Sequence, residues 1–342
     1  MVYIMAIRSR FIVVSGVLGN PIAGVVHEFV DASLWKMLSN RGVALDFQGM
    51  DLDEYLKGEL ADVDAAMDGF LPKLDEPPGS IHEAMRYCMF AGGKRLRPVL
   101  CIAAAQACGG KREDAFAAAC AVELMHTYSL VHDDLPCMDD DDLRRGRATC
   151  HKLYGEGMAV LCGDALLTEA FVVITKSQAG GKYSVGEMVA ELALTGGSRK
   201  LIGGQVLDLE GEGKSLSMEE LVMIHESKTA ALLTSSVRLG AMTAGASHEE
   251  LAALTTFGNA LGLAFQVIDD ILDLTQTTEN LGKTAGKDAA VQKATYPAVI
   301  GLELSRKEAE RLTAEAMDAL VVFGEKGGRL REIAERMLVR EF

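Results

Sequence analysis

The sequence predicts an all-α fold, and three observations carry that prediction. Between Pro98 and Pro297 there is a single proline, Pro136, and a helix interior tolerates proline poorly because the ring removes an amide donor and clashes with the preceding turn. Apolar residues recur at the i, i+3, i+4 spacing of one helical face, as in Ala117, Cys120, Ala121 and Leu124. The Val-Ile-Thr alternation that marks half-buried strands is scarce.

The first convincing amphipathic helix opens at Met50-Asp51-Leu52-Asp53 and runs over 51–71. Pro77-Pro78-Gly79 leads into a second over 80–92, Gly92-Gly93 precedes a third over 95–108, and Gly109-Gly110 precedes a fourth over 113–135. Further helices are expected over 155–176, 185–208, 217–245, 248–275, 294–322 and 328–340, with Gly180-Gly181 and Gly211-Glu212-Gly213 as breaks. None of these breaks is a long linker, so residues 50–342 read as one domain and residues 1–49 as an N-terminal extension. No repeat of solenoid length is visible.

The extension differs in character from the rest. Residues 11–26 carry no charge and follow Arg8 and Arg10, a loose likeness to a signal peptide. Glycines and Pro21 interrupt that run, which is too short to span a bilayer. A plastid or other transit segment and an over-extended start are the alternatives; the remaining chain reads as cytoplasmic, with no transmembrane segment.

The net charge is −15, from 34 basic and 49 acidic side chains, which argues against a nucleic-acid partner. An acidic protein that handles anions must concentrate its cations locally, and this one does so at Lys94-Arg95-Leu96-Arg97 and Arg144-Arg145-Gly146-Arg147. All seven cysteines lie between Cys88 and Cys162, without a C-x-x-C pair. That pattern reads as small core hydrophobes in a reducing compartment.

Two aspartate clusters stand out: Asp133-Asp134 with Asp139, and Asp269-Asp270 with Asp273. Carboxylates crowded this closely repel one another, and burying them unpaired is costly. An all-oxygen donor set relieves that cost best with a hard divalent cation, Mg²⁺ rather than zinc. Asp269 and Asp273, four apart, share a helical face that Gln266 can join. Asp139 sits at i+6 from Asp133, where a regular helix would turn it away. Pro136 disfavours helical geometry at Leu135 and lets the chain bulge back. Two such clusters suggest opposite walls of one cavity that binds a polyphosphate through metal. The Gly92-Gly93-Lys94 junction and Arg144-Arg145 then read as anion-binding segments. His132-Asp133 also matches the dyad of an HD-type phosphohydrolase, but the other histidines are scattered and give it no further ligands.

In this order the motifs resemble the trans-isoprenyl diphosphate synthase family over roughly residues 50–342: GGKRLRP at 92–98, HTYSLVHDDLPCMDDDDLRRG at 126–146, GDALL at 163–167, GGQVLDLE at 203–210, ESKTAALL at 226–233, FQVIDDILD at 265–273, LGKTAGKD at 281–288 and TYPAVIGL at 295–302. The resemblance implies a bundle of antiparallel helices around a deep cavity, usually a homodimer. It implies that Lys94, Arg97, His126 and Arg145 bind isopentenyl diphosphate. Asp133, Asp134, Asp139, Asp269, Asp270 and Asp273 would hold several Mg²⁺ ions on an allylic diphosphate. Arg144, Lys228, Thr229, Gln266, Lys283 and Lys293 would contact that leaving group, with Lys287 a weaker candidate. Tyr128, five residues before the first aspartate, followed by Ser129, would set product length. A helical wheel does not select Tyr128 unaided, since it lies roughly 140° from Asp133 and Ser129 about 40°. The expectation is a fifteen-carbon farnesyl product, with the twenty-carbon geranylgeranyl product as alternative. Class I terpene cyclases and regulatory subunits of heteromeric synthases are less favoured, because both aspartate motifs and GGKRLRP are present.

Overall fold

The computed structural model describes residues 2–7, 10–15, 51–178, 181–275 and 294–338. The chain divides into two units, Met1–Met50 and Asp51–Phe342. The smaller contains an antiparallel hairpin of β1 (Val2–Ile7) and β2 (Arg10–Ser15), with Val2 opposite Ser15. Strands were not expected there; the apolar run after Arg10 is β-branched enough to pair.

The larger unit is helical, as expected. α1 (Leu52–Phe70) begins at Asp51, whose carboxylate accepts from the Asp53 amide, and buries Tyr55, Glu59, Val63 and Met67 at every fourth position. Glu59 is tolerated inside because Arg112 meets it at 2.9 Å. α2 (Gly79–Met89), α3 (Leu96–Ala107) and α4 (Arg112–Asp133) follow. A two-residue hairpin, β3 (Leu143–Arg144) with β4 (Arg147–Ala148), then leads into α5 (Cys150–Tyr154) and α6 (Glu156–Ile174). α7 (Val185–Gly196) and α9 (Met218–His225) each start with a capping box, Ser184 with Glu187 and Ser217 with Glu220. α8 (Leu201–Gly211) lies between them. α10 (Ala231–Thr243), α11 (His248–Thr275), α12 (Tyr296–Ile300), α13 (Leu302–Ala319), a 3₁₀ segment (Val321–Gly327) and α14 (Gly328–Leu338) complete the unit.

α10 is the central helix: every residue but Arg238 is buried, and it packs on α3, α4 and α11. α4 also packs along α6, and α11 along α13. α6 and α11 are long and apolar enough to cross a membrane by length and composition alone. Both are helices of this bundle, and α11 carries the second aspartate cluster.

Two expected helices are broken and a third is altered. The one over 185–208 stops at Gly197, and the one over 294–322 is cut at Gly301, whose φ of 81° no other residue type adopts cheaply. The helix over 217–245 is continuous but widens into a π segment at Glu226–Ala230. Gly155, at φ 86°, likewise separates α5 from α6.

Candidate functional site

After α4 the backbone curls on itself. The Asp139 amide donates to the Asp133 carbonyl at 2.8 Å, and the Asp140 amide to the Leu135 carbonyl at 3.2 Å. The third aspartate is therefore folded back beside the first, the bulge that Pro136 predicts. The three carboxylates differ in employment. Asp134 is buried and receives the Arg144 guanidinium, with Nε at 2.7 Å from Oδ1. Neither Asp133 nor Asp139 has a side-chain hydrogen bond or ion pair among the described residues. Burial pushes the Asp133 carboxyl up to about 6, with Lys228 opposing and Asp139 reinforcing the shift.

The π segment lies between the two acidic motifs. Its Lys228 Nζ is 2.6 Å from Asp208 of α8 and close enough to Asp133 to lower its pKa. The next residue, Thr229, donates to Gln266 Oε1 at 3.2 Å, and Gln266 donates to Asp270 at 3.0 Å. One widened turn thus carries Lys228, whose charge acts on Asp133 of the first motif, beside Thr229, which connects through Gln266 to Asp270 of the second. A Cβ on Gly204 of α8 would lie 2.4 Å from the Lys228 amide nitrogen, so glycine there is what lets α8 approach.

On α11, Asp269 and Asp273 are half-buried, whereas Asp270 is buried and turned elsewhere. Its Oδ2 accepts the Tyr296 amide at 3.0 Å, and His225 Nε2 lies 3.9 Å away. The geometry gives Asp270 a positioning part, tying α11 to α12, beside the metal-ligand part expected from sequence.

The basic cradle adjoins the first motif. Arg95 is buried and spent on Asp64 at 3.0 Å and Glu123 at 3.1 Å. Lys94 is exposed, and Arg97 Nε is buried without a partner among the described residues. Arg145 reaches the Gly92 carbonyl. Burial, then Arg97 and Arg145, hold the His126 imidazole well below its ordinary value, so it is neutral and lies among these cations. Among the described residues the non-glycine positions with positive φ are Arg95, Asp140 and Arg145, all in these segments; backbone strain collects where function needs it.

Tyr128 is buried, packs edge-on to His132 at 5.9 Å and has a hydroxyl without a hydrogen-bond partner among the described residues. Ser129 donates to the His126 carbonyl at 2.9 Å. His132 lies 3.0 Å from the Val160 carbonyl, an α4–α6 packing contact rather than a metal ligand. Lys283, Lys287 and Lys293 lie outside the described residues. Sequence reasoning missed Asp208 and His225; an isolated carboxylate in the apolar run Val206-Leu207-Asp208-Leu209 was the available signal for the former.

The profile of the polyprenyl synthetase family matches residues 78–320. The chain is 50% identical over 290 residues to "Geranylgeranyl pyrophosphate synthase, chloroplastic" of Capsicum annuum, covering 84% of this chain and 78% of that one. It is 52% identical over 273 residues to "Heterodimeric geranylgeranyl pyrophosphate synthase large subunit 1, chloroplastic" of Arabidopsis thaliana, covering 78% and 72%. Among solved structures it resembles a geranyltransferase from Helicobacter pylori complexed with magnesium and isoprenyl diphosphate, with a TM-score of 0.72, 33% identity, and coverage of 86% and 98%.

Proposed function

The chain belongs to the polyprenyl synthetase family and is a short-chain trans-prenyl diphosphate synthase; from that premise we propose that its product is geranylgeranyl diphosphate. Its helical unit has the isoprenoid synthase fold. The relatives' names favour the twenty-carbon product over the fifteen-carbon one that Tyr128 suggested. The single observation that carries the chemistry is the Lys228–Thr229 turn linking both acidic motifs, with Arg97 Nε buried in the cradle alongside and without a hydrogen-bond partner among the described residues.

The donor set fits magnesium: oxygen-only, with a half-buried Asp133 that has no side-chain hydrogen bond or ion pair among the described residues. Asp133, Asp139, Asp269 and Asp273 would hold the ions, with Asp134 and Asp270 positioned behind them by Arg144 and by Gln266 with Tyr296. Bound Mg²⁺ supplies Lewis acidity toward the allylic diphosphate. Lys228, Thr229, Gln266 and Arg144 line the same place and add preorganised donors where negative charge develops on the leaving group. Lys94, Arg97, neutral His126 and Arg145 bind and orient isopentenyl diphosphate. The allylic C–O bond breaks with its electron pair leaving on diphosphate. The isopentenyl double bond then attacks that carbon, and a proton passes to the departed diphosphate. No side chain in the cradle is a free base for that proton, since His126 sits among cations.

The proposal extends to assembly and location. α6 turns Val160, Leu161 and Val172 outward, an apolar face suited to a second subunit of the same chain or of a related one. The chloroplastic relatives favour a plastid over the cytoplasm. Purified protein incubated with labelled isopentenyl diphosphate and a dimethylallyl or geranyl primer tests the reading. A dominant twenty-carbon diphosphate supports it; a farnesyl end product overturns the length, and a hydrocarbon overturns the class.

A further inference from the structure

Cys88 on α2, Cys150 on the first turn of α5 and Cys162 on α6 are far apart in sequence, yet their three sulfurs all lie within 4.8 Å of one another. The Cys88 and Cys162 sulfurs are 4.0 Å apart. Cys150 and Cys162 are buried and Cys88 is half-buried. A thiolate–metal bond of about 2.3 Å in a trigonal or tetrahedral site places neighbouring sulfurs roughly 3.8–4.0 Å apart. The cluster is thus close to a three-sulfur ligand set before any ion arrives. Its surroundings supply the rest. A cavity of about 40 Å³ is lined by Cys88 and Cys150 together with Asp134, Arg144 and Arg145. That is room for a water as fourth ligand.

We propose that Cys88, Cys150 and Cys162 form a binding site for one thiophilic d¹⁰ cation such as zinc, distinct from the aspartate-held magnesium. Soft sulfur donors select such ions over Mg²⁺. Binding replaces the three thiol protons, which leave to solvent, so affinity rises with pH. The site ties together elements that carry the diphosphate cradle: α2 ends just before Gly92-Gly93, and α5 follows the hairpin that bears Arg144 and Arg145. A bound cation therefore stiffens both basic segments and raises the melting temperature.

The test uses the full chain, reduced and freed of metal, titrated with Cd²⁺ while near-ultraviolet thiolate-to-cadmium absorption is followed. Carboxylates give no such band, so the aspartate motifs do not confuse the reading. Saturation near one equivalent per chain is expected, with displacement by Zn²⁺ or Cu(I) telling a divalent from a monovalent occupant. Cys88→Ser and Cys150→Ser should each weaken binding by about tenfold or more and abolish the zinc-induced rise in melting temperature; Cys108→Ser should do neither. Because Cys88 is half-buried, its variant keeps the test alive if the deeper ones misfold. Absence of the band in the wild-type protein, its persistence in both variants, or a disulfide forming in place of metal uptake would overturn the site.

Discussion

The Asp139 amide is hydrogen-bonded to the Asp133 carbonyl at 2.8 Å, which brings the two residues close enough for the Asp139 charge to raise the Asp133 carboxyl. Neither carboxylate has a partner among the described residues, while Asp134 between them in sequence is held by Arg144. The pair is therefore costly until a cation arrives, so Asp133→Ala should move activity and stability in opposite directions. Turnover is expected to fall by ~1,000-fold or more, since preorganised charge neutralisation at the leaving group is lost. The metal-free variant should melt higher than wild type. The sign follows from the raised carboxyl: its folded pKa, about 6, exceeds the unfolded value, so native stability is lost as pH rises through 6. The variant's advantage should appear above that pH and vanish in acid. Thermal melts across pH, without Mg²⁺, check it.

The same carboxyl makes metal uptake a competition with protons. Mg²⁺ affinity in the absence of substrate should strengthen as pH rises through about 6 and level off above it. Calorimetric titration at several pH values reads this directly. A flat profile would place the ion away from Asp133.

Gly93 has φ 127°, and a Cβ there would sit 2.5 Å from an Arg145 guanidinium nitrogen. Gly92 is also at positive φ, 87°, but a Cβ would meet nothing. Alanine at either position strains the backbone by about 1–2 kcal/mol. Only Gly93→Ala should also push Arg145 aside, raising KM for isopentenyl diphosphate by about tenfold with little change for the allylic substrate. Steady-state kinetics of the two variants separates strain from displacement.

His126 should leave its mark on the acid limb of stability. Burial and the Arg97 and Arg145 guanidiniums hold it neutral in the native state, while the unfolded chain takes up a proton below ~6.5. A depressed native pKa means stability present above that value and lost as pH falls. His126→Asn removes this loss, so the stability difference between variant and wild type should shift in the variant's favour below pH ~6. Urea melts on both sides of that pH measure it.

Much of this was legible in the sequence because helix signals are local. Proline scarcity, capping serines and the i, i+4 pattern of Tyr55, Glu59, Val63 and Met67 require no knowledge of distant residues. The return of Asp139 to Asp133 was legible for the same reason, since Pro136 acts on its own neighbours. The π turn at Glu226–Ala230 was not: it adds a residue to a helix without a glycine or proline to mark it, and its purpose shows only when Asp208 and Gln266 are in place. The contrast between Asp269 and Asp270 was equally hidden, because the Tyr296 amide that occupies Asp270 comes from a different helix.

Tyr128 tests how growth of the chain is limited. The side chain is buried, its ring lies edge-on to His132, and its hydroxyl has no hydrogen-bond partner among the described residues. An unpaired buried hydroxyl contributes nothing to stability, so Tyr128→Phe should be neutral or slightly stabilising and should leave the product unchanged. Tyr128→Ala removes the ring itself. Loss of a buried aromatic costs about 3–5 kcal/mol where the site does not collapse, and the vacated volume adjoins the first aspartate motif. If the ring is the floor under the growing tail, the alanine variant should yield a product longer by at least one five-carbon unit, while the phenylalanine variant does not. Chromatography of both product mixtures decides it, since an unaltered profile in the alanine variant would place the floor at a deeper side chain.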